Sequence, residues 1–157
     1  MGRVLFFAIL LLLTLARVEA IDISAVGGWG ETIDASDLVS GAGSDLIDTY
    51  ESTTDATVID ISNCVDKFDA YRVDVRRVDG TWHADFTLYV RRTTVGIGPG
   101  SIKGGTAYFE ITVTDSEFFT GKGDRINIDV QYQLTGMSVS VSPNTYSTTV
   151  VFTVVDN

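Results

Sequence analysis

Apolar residues recur at every second position over much of this chain, the pattern of β-strands that bury one face. The alternation runs through residues 21–26, 56–62, 107–114, 126–134 and 146–154, and more briefly through 137–141. The intervening residues 27–55 are irregular and predict only a short helix near residues 35–39, capped by Asp34. Seven to eight strands without a long helix predict an all-β fold, an immunoglobulin-like antiparallel β-sandwich.

The most distinctive local signal is an Asp79-Gly80 dipeptide inside residues 70–92. Asp-Gly is the preferred centre of a two-residue hairpin turn, because both positions adopt positive φ. The sequence therefore predicts a hairpin whose apolar face includes Phe86. Loops are expected at the glycine-punctuated residues 94–105 and at residues 115–125, which include Phe118 and Phe119.

In that hairpin register, Arg77 would stack on Trp82 in a cation–π contact. Asp74 would face Asp85, and like charges facing each other across strands are unfavourable. Either neighbouring arginines neutralise the two carboxylates or a cation such as calcium lies between them. Arginines are the preferred explanation, because calcium takes about 6–8 oxygen ligands and this face offers two carboxylates.

The first twenty residues have the order of an export signal. Arg3 precedes an apolar run over residues 4–16, and Val18 and Ala20 occupy the cleavage-site positions. The apolar run is shorter than the roughly 20 residues that span a bilayer as a helix. We therefore expect a cleaved signal peptide at residues 1–20, one β-sandwich domain at residues 21–157, and a secreted protein that is extracellular or on the cell surface.

Charge narrows the range of partners. The formal net charge is −10, and loss of Arg3, Arg17 and Glu19 with the signal peptide makes it −11. Nucleic acid is not an expected partner, because phosphate contacts need clustered Lys and Arg. Attachment to an anionic membrane surface after signal cleavage is not expected for the same reason.

The chain is poor in reactive side chains. Cys64 is its single cysteine and His83 its single histidine, so the sequence excludes an intrachain disulfide and a zinc site of several His or Cys ligands. Cys64 is expected to be a buried, inert thiol, with a bridge to another chain as the alternative. No Gly-x-Ser-x-Gly nucleophile elbow is present. We assign no catalytic, metal or cofactor site and do not expect an enzyme.

Residues 142–154 read Ser-Pro-Asn-Thr-Tyr followed by an alternating strand through Val150, Phe152 and Val154. This segment resembles the Pro-Gly-x-Tyr turn and long last strand of bacterial secreted β-sandwich domains, among them spore coat protein U-like and pilus-subunit domains. The resemblance implies a β-sandwich fold and a structural role at the cell surface.

The preferred function is therefore an extracellular structural subunit of a surface filament or layer, in which copies of the chain assemble through strand contacts. The candidate assembly strand is residues 21–26, in which Ile21, Ile23 and Ala25 share one face. The following Gly27-Gly28 could act as a hinge that lets this strand fold back onto its own sheet or reach a neighbouring copy.

The alternative is a secreted carbohydrate- or ligand-binding β-sandwich module. Its motivation is three aromatic residues that could act as flat stacking platforms for glycans: Trp29, Tyr89 and Tyr108. The two functions predict different partners, since the first needs other copies of the chain and the second binds a ligand as a monomer.

Overall fold

The structure, a computed structural model, describes residues 20–157. Apart from Ala20, the expected signal peptide lies outside these residues. The described chain folds into ten strands and one short 3₁₀ helix, η1, at Ala35–Asp37. The strands are β1 Asp22–Gly27, β2 Thr49–Glu51, β3 Thr57–Ser62, β4 Ala70–Thr81, β5 Thr87–Arg92, β6 Ser101–Gly104, β7 Phe109–Glu110, β8 Ser116–Lys122, β9 Arg125–Thr135 and β10 Ser147–Asp156.

The strands form two antiparallel sheets. The first has the order β1-β3-β9-β5-β7, with β2 paired to the end of β9, and the second has the order β10-β4-β8-β6. The expected all-β sandwich is confirmed. Seven of the ten strands have six or more residues, and the alternation in the sequence missed one of these long strands, β8, together with the short strands β2 and β6.

The core lies between the two sheets and is filled by the inward residues of each strand. In β3, Ile59 and Ile61 are fully buried while Val58 lies on the other face, as the alternation predicted. Burial of one such side chain stabilises a fold by about 1.5–3 kcal/mol. The largest fully buried side chains are Tyr71, Val73, Val75, Val90, Ile59, Ile61, Ile111, Phe119, Ile128 and Val130.

The long strand β4 defines two ends of the sandwich. At its start Ala70 pairs with Lys122, and at its end Thr81 pairs with Ser147. We call these ends the Ala70 pole and the Thr81 pole. Twelve residues at about 3.3 Å each separate them by roughly 40 Å. The loop at residues 63–69, which joins β3 to β4, lies at the Ala70 pole.

The predicted hairpin at Asp79-Gly80 is wrong. Strand β4 continues through both residues and pairs with β10, whereas β5 belongs to the other sheet. The register passes from Thr148 opposite Asp79 to Ser147 opposite Thr81, so Gly80 is the extra residue of a β-bulge. A Cβ atom on Gly80 would lie 2.6 Å from Oγ of Ser147, which explains glycine here without a turn.

Two further bulges change which residues face the core. Val73 pairs with Phe119 and Asp74 with Glu117, so Phe118 is the extra residue and both phenylalanines are buried in β8, not in the expected loop. In β9, Asn127 has a φ of 57°. The expected common face of residues 126–134 is therefore interrupted at its start, where Ile126 is 47% exposed.

The remaining predictions of helix and strands are confirmed in some segments and wrong in others. A helical turn forms as predicted, shortened to η1, with Asp34 accepting a hydrogen bond from the backbone N–H of Ser36 at 2.7 Å. The strand expected over residues 107–114 is reduced to the two residues of β7, and the strand expected over residues 137–141 is absent, because residues 136–146 form an irregular connection. The last strand, β10, forms as predicted.

Candidate functional site

The two sheets separate at the Thr81 pole and leave a cleft of about 930 Å³. Its walls come from residues 27–33 after β1, from the crossing between β4 and β5, and from residues 141–150. A volume of this size lies within the range of small-molecule and peptide-side-chain sites. The aromatic residues that line it are Trp29, Trp82, Phe86, Tyr132, Tyr146 and Phe152.

Phe86 holds one wall of the cleft together. Its ring is 4% exposed and meets the rings of Trp82 and Tyr146 edge to face, at centroid distances of 5.5 Å and 4.9 Å. The indole Nε1 of Trp82 donates to the carbonyl of Phe86 at 3.3 Å, and the hydroxyl of Tyr146 donates to the carbonyl of Ser142 at 2.7 Å. These bonds fix the rings, so the wall is preformed.

The predicted contact between Arg77 and Trp82 is confirmed. The Arg77 guanidinium carbon lies 4.9 Å from the indole centroid. The contact arises at the crossing between the sheets and not in a hairpin. Arg77 also forms an ion pair with Asp79 and donates to the carbonyl of Ile111 at 3.1 Å, so its charge is neutralised beside the cleft.

The cleft is lined almost entirely by uncharged residues. Glu31 is the one charged residue among those that line it, and the others are apolar, aromatic, hydroxyl or amide residues and glycines. The lining therefore suits an apolar or aromatic group that carries a positive charge. Within residues 20–157, no group of three or more His, Cys, Asp or Glu side chains is placed to hold a metal ion.

The three predicted platform aromatics do not form one site. Trp29 lines the cleft. Tyr89 lies on the outer face of the first sheet, paired with Glu110 on one side and Gln133 on the other. Tyr108 lies near that face, with the Arg91 guanidinium 4.7 Å from its ring centroid, and burial together with the nearby Glu51 raises its pKa to about 12.

The outer face beside Tyr89 is ordered by polar side chains. Arg91 donates through Nε and Nη2 to Oε1 of Gln131 at 3.0 Å and 2.7 Å, and Gln131 donates in turn to the carbonyl of Ser52 at 2.8 Å. Gln133 donates to Glu51 at 2.9 Å. These hydrogen bonds give partners within the protein to Arg91, Gln131 and Gln133 on this face.

The candidate assembly strand is folded onto its own sheet. Strand β1 pairs with β3 over six residues, from Asp22 opposite Ser62 to Gly27 opposite Thr57. Ile21 is 7% exposed, Ile23 packs against the core, and Ala25 lines the cleft. The expected hinge is held as well, because the N–H of Gly28 donates to the carbonyl of Ala56 at 2.8 Å.

One side of the sandwich exposes two long strand edges. Strands β1 and β10 are the last members of their sheets on that side, with six and ten residues. The edges on the other side, β7 and β6, have two and four residues. Short edge strands are protected against pairing with another chain, whereas a long, uncharged edge is open to it.

Strand β10 is the most open of these edges. Its sequence, Ser-Thr-Thr-Val-Val-Phe-Thr-Val-Val-Asp, holds no proline and no charge before Asp156. The alternation in the sequence predicted the strand but not its position at an edge. A signal was present in the sequence, since the 26 residues between Asp129 and Asp156 include no charged side chain.

The groups around Cys64 and Asp74 are those of residues with a structural role. Cys64 is half-buried, and burial, followed by the neighbouring Asp124, raises its pKa to about 12, which describes a poorly reactive thiol. Asp74 does not face Asp85, because the hairpin is absent. The question of how the pair is neutralised therefore does not arise, and Asp74 instead accepts from Nε and Nη2 of Arg72 at 2.7 Å and 2.9 Å.

Two buried arginines were not singled out by the sequence. Arg125 donates to the carbonyls of Val95, Gly98 and Pro99 at 3.0–3.4 Å. Arg92 donates to the carbonyls of Gly104 and Thr94. Burial, together with the nearby charge of Arg125, lowers the pKa of Arg92. The two arginines therefore stabilise the glycine-rich connection between β5 and β7 by hydrogen bonds to its backbone carbonyl groups.

No protein-family model, no curated protein and no solved structure matches this chain. The resemblance of residues 142–154 to bacterial surface β-sandwiches therefore stays a prediction. Among the described residues, no helix has the length and apolar character required to cross a bilayer.

Proposed function

We propose that this protein is an extracellular structural subunit whose copies assemble into a filament or layer through strand edges. One observation carries the proposal: within residues 20–157, no strand pairs with the outer edge of β10, which is ten residues long and has no charge before Asp156. An edge of this kind is a template for a strand of another copy. A monomeric protein would be expected to protect it with a lysine or a proline.

Electrostatics favour this edge as the contact. A formal charge of −11 makes copies of the secreted chain repel one another, and repulsion is weakest where an edge carries no charge. Strand β10 is also rich in Val and Thr, which pack well on a pleated surface. Each net hydrogen bond between two such edges would contribute about 0.5–1.5 kcal/mol, so a ladder along β10 gives a lasting contact.

The role of β1 differs from that of a donated strand. Its residues Ile21 and Ile23 contact the core, so withdrawal of β1 into a neighbour would expose them. We propose that β1 stays in its own sheet and offers its outer edge beside that of β10. Ile21, Ile23 and Ala25 then hold the edge in place, and the contact between copies uses backbone groups.

A lysine on the β10 edge tests the proposal. Thr153 is exposed, does not line the cleft and pairs with Asp74 of β4, one strand further in. Thr153→Lys should abolish assembly of the secreted chain, as seen by negative-stain microscopy and sedimentation velocity, because a lysine on an edge strand prevents pairing with another chain. Val78→Lys is the control on β4, which β10 covers, and should assemble. Equal assembly of wild type and Thr153→Lys would refute the proposal.

A secreted carbohydrate- or ligand-binding module remains the second candidate. It is favoured by the position of Trp29 in a preformed aromatic cleft. Binding of an oligosaccharide by the monomer on a sugar array, lost in Trp29→Ala and retained in Tyr89→Ala, would support it.

A further inference from the structure

Two surfaces at opposite poles of the molecule have complementary chemistry. The cleft at the Thr81 pole has aromatic walls and one lining charge, Glu31. The loop at residues 63–69, at the Ala70 pole, exposes Val65 by 83% and Phe68 by 67%. Such exposure of two neighbouring large apolar residues marks a candidate contact surface.

The loop is fixed in shape. Oδ1 of Asp66 accepts from the backbone N–H of Phe68 at 2.7 Å and of Asp69 at 3.0 Å. Oδ2 of Asp69 accepts from the backbone N–H of Val65 at 2.8 Å. The two carboxylates are thereby bound to the backbone of their own loop. Because the loop is already ordered, displaying its apolar side chains to a partner costs little conformational entropy.

Lys67 places a positive charge beside the aromatic ring of the loop, while the loop's two negative charges, on Asp66 and Asp69, are directed to its own backbone N–H groups. Nζ of Lys67 lies 5.0 Å from the centroid of the Phe68 ring. Neighbouring aromatic and positive groups are what the cleft would accept, since Trp29 and Trp82 offer aromatic surface and Glu31 offers the negative charge.

We propose that the cleft of one copy receives the Val65, Lys67 and Phe68 side chains of a second copy. This inference rests on the proposed assembly function and adds a second contact to it. A contact between different surfaces at opposite poles does not close on itself, so it generates an open chain of subunits. Edge contacts through β10 join copies side by side, and this contact joins them end to end with a repeat of about 40 Å, set by the length of β4.

The test uses the full secreted chain with Thr153→Lys, a background that lacks the β10 edge contact and leaves the cleft lining unchanged. End-to-end oligomers should remain in sedimentation velocity. Adding Phe68→Asp should raise the dissociation constant at least tenfold, because a charge would enter the aromatic cleft unpaired. Val113→Asp is the control, because it adds the same charge at an exposed apolar residue outside the cleft and the loop. It should leave association unchanged.

A mixing experiment identifies the two surfaces. Phe68→Asp keeps its cleft and Glu31→Lys keeps its loop, so each is impaired alone, while an equal mixture should form dimers that grow no further. Association of Phe68→Asp at background strength, or absence of dimers in the mixture, overturns the inference.

The remaining outcomes separate the two proposals. If wild type forms fibres or layers and the Thr153→Lys background is monomeric, the end-to-end contact is wrong and the edge contact stands. If wild type is itself a monomer whose cleft binds an oligosaccharide, both proposals fail.

Discussion

Tyr71 of β4 lies directly across from Gly121 of β8, and its ring occupies the space that a side chain at position 121 would need. A Cβ atom on Gly121 would stand 2.4 Å from Cζ and the hydroxyl oxygen of Tyr71, well inside van der Waals contact. Tyr71 is fully buried, so its ring has no free space to move into. The two positions are therefore sterically coupled.

Gly121→Ala should lower the free energy of unfolding by about 1–3 kcal/mol, because the added methyl group overpacks the core against the Tyr71 ring. Urea denaturation monitored by tryptophan fluorescence measures the change. Gly28→Ala is the control, since no heavy atom lies within 4 Å of the corresponding Cβ position. Equal midpoints for the two variants would contradict the coupling.

Arg125→Lys should destabilise the fold by about 2–3 kcal/mol. Lysine keeps the charge but cannot reproduce the planar fork that reaches the three carbonyls of the glycine-rich connection. The rate of backbone amide hydrogen exchange in residues 95–100 should rise together with the loss of stability. Arg76→Lys, at a half-exposed ion pair with Asp115 of 3.4 Å, should change stability by less than about 0.5 kcal/mol. Unchanged exchange in the connection would disprove the role of Arg125.

Phe86→Ala should cost about 3–5 kcal/mol, because it removes a buried ring from the centre of the Trp82 and Tyr146 cluster. The thermal midpoint measures this cost. Thr87→Ala, at the next residue, should shift the midpoint little. A loss for Phe86→Ala no larger than that control would mean that the cleft wall is not built on Phe86.

Stability should fall as pH rises through the range 9 to 12. The pKa of Cys64 is raised from 9.0 to about 12, chiefly by burial, so the unfolded chain releases this proton at a lower pH than the folded chain. The contribution is complete below pH 9 and is lost on approach to pH 12. Urea denaturation at pH 8, 9, 10 and 11 should show a shallower decline for Cys64→Ala than for wild type. Parallel curves would show that Cys64 ionises normally.

The alternation of the sequence predicted the sandwich because a half-buried strand must repeat with period two. It failed where a bulge adds a residue. Gly80 and Phe118 are such residues, and each shifts the alternation by one position, so the sequence alone does not distinguish Gly80 from a turn or Phe118 from a loop residue. The bulge near Asn127 has the same effect and accompanies the burial of Arg125.

Less of the candidate site than of the fold could be predicted from the sequence. Trp29 was named as a platform, but the cleft also needs Trp82, Phe86 and Tyr146, which come from distant segments and meet only after the chain crosses between sheets. Hydrophobic periodicity identifies buried faces and does not give the order of strands in a sheet. For that reason β10 was predicted as a strand while its place at an edge became evident only from the pairing.

The two ends of the folded domain lie at the same pole, since Asp22 pairs with Ser62 while the N–H of Asn157 donates to the carbonyl of Ala70. Tension applied between these ends acts across the strands, so β1 and β10 would peel away one hydrogen bond at a time. Tension applied from pole to pole acts along the strands and loads the pairs of each ladder together. A fibre of subunits joined end to end would therefore resist pulling far better than a single subunit stretched by its termini.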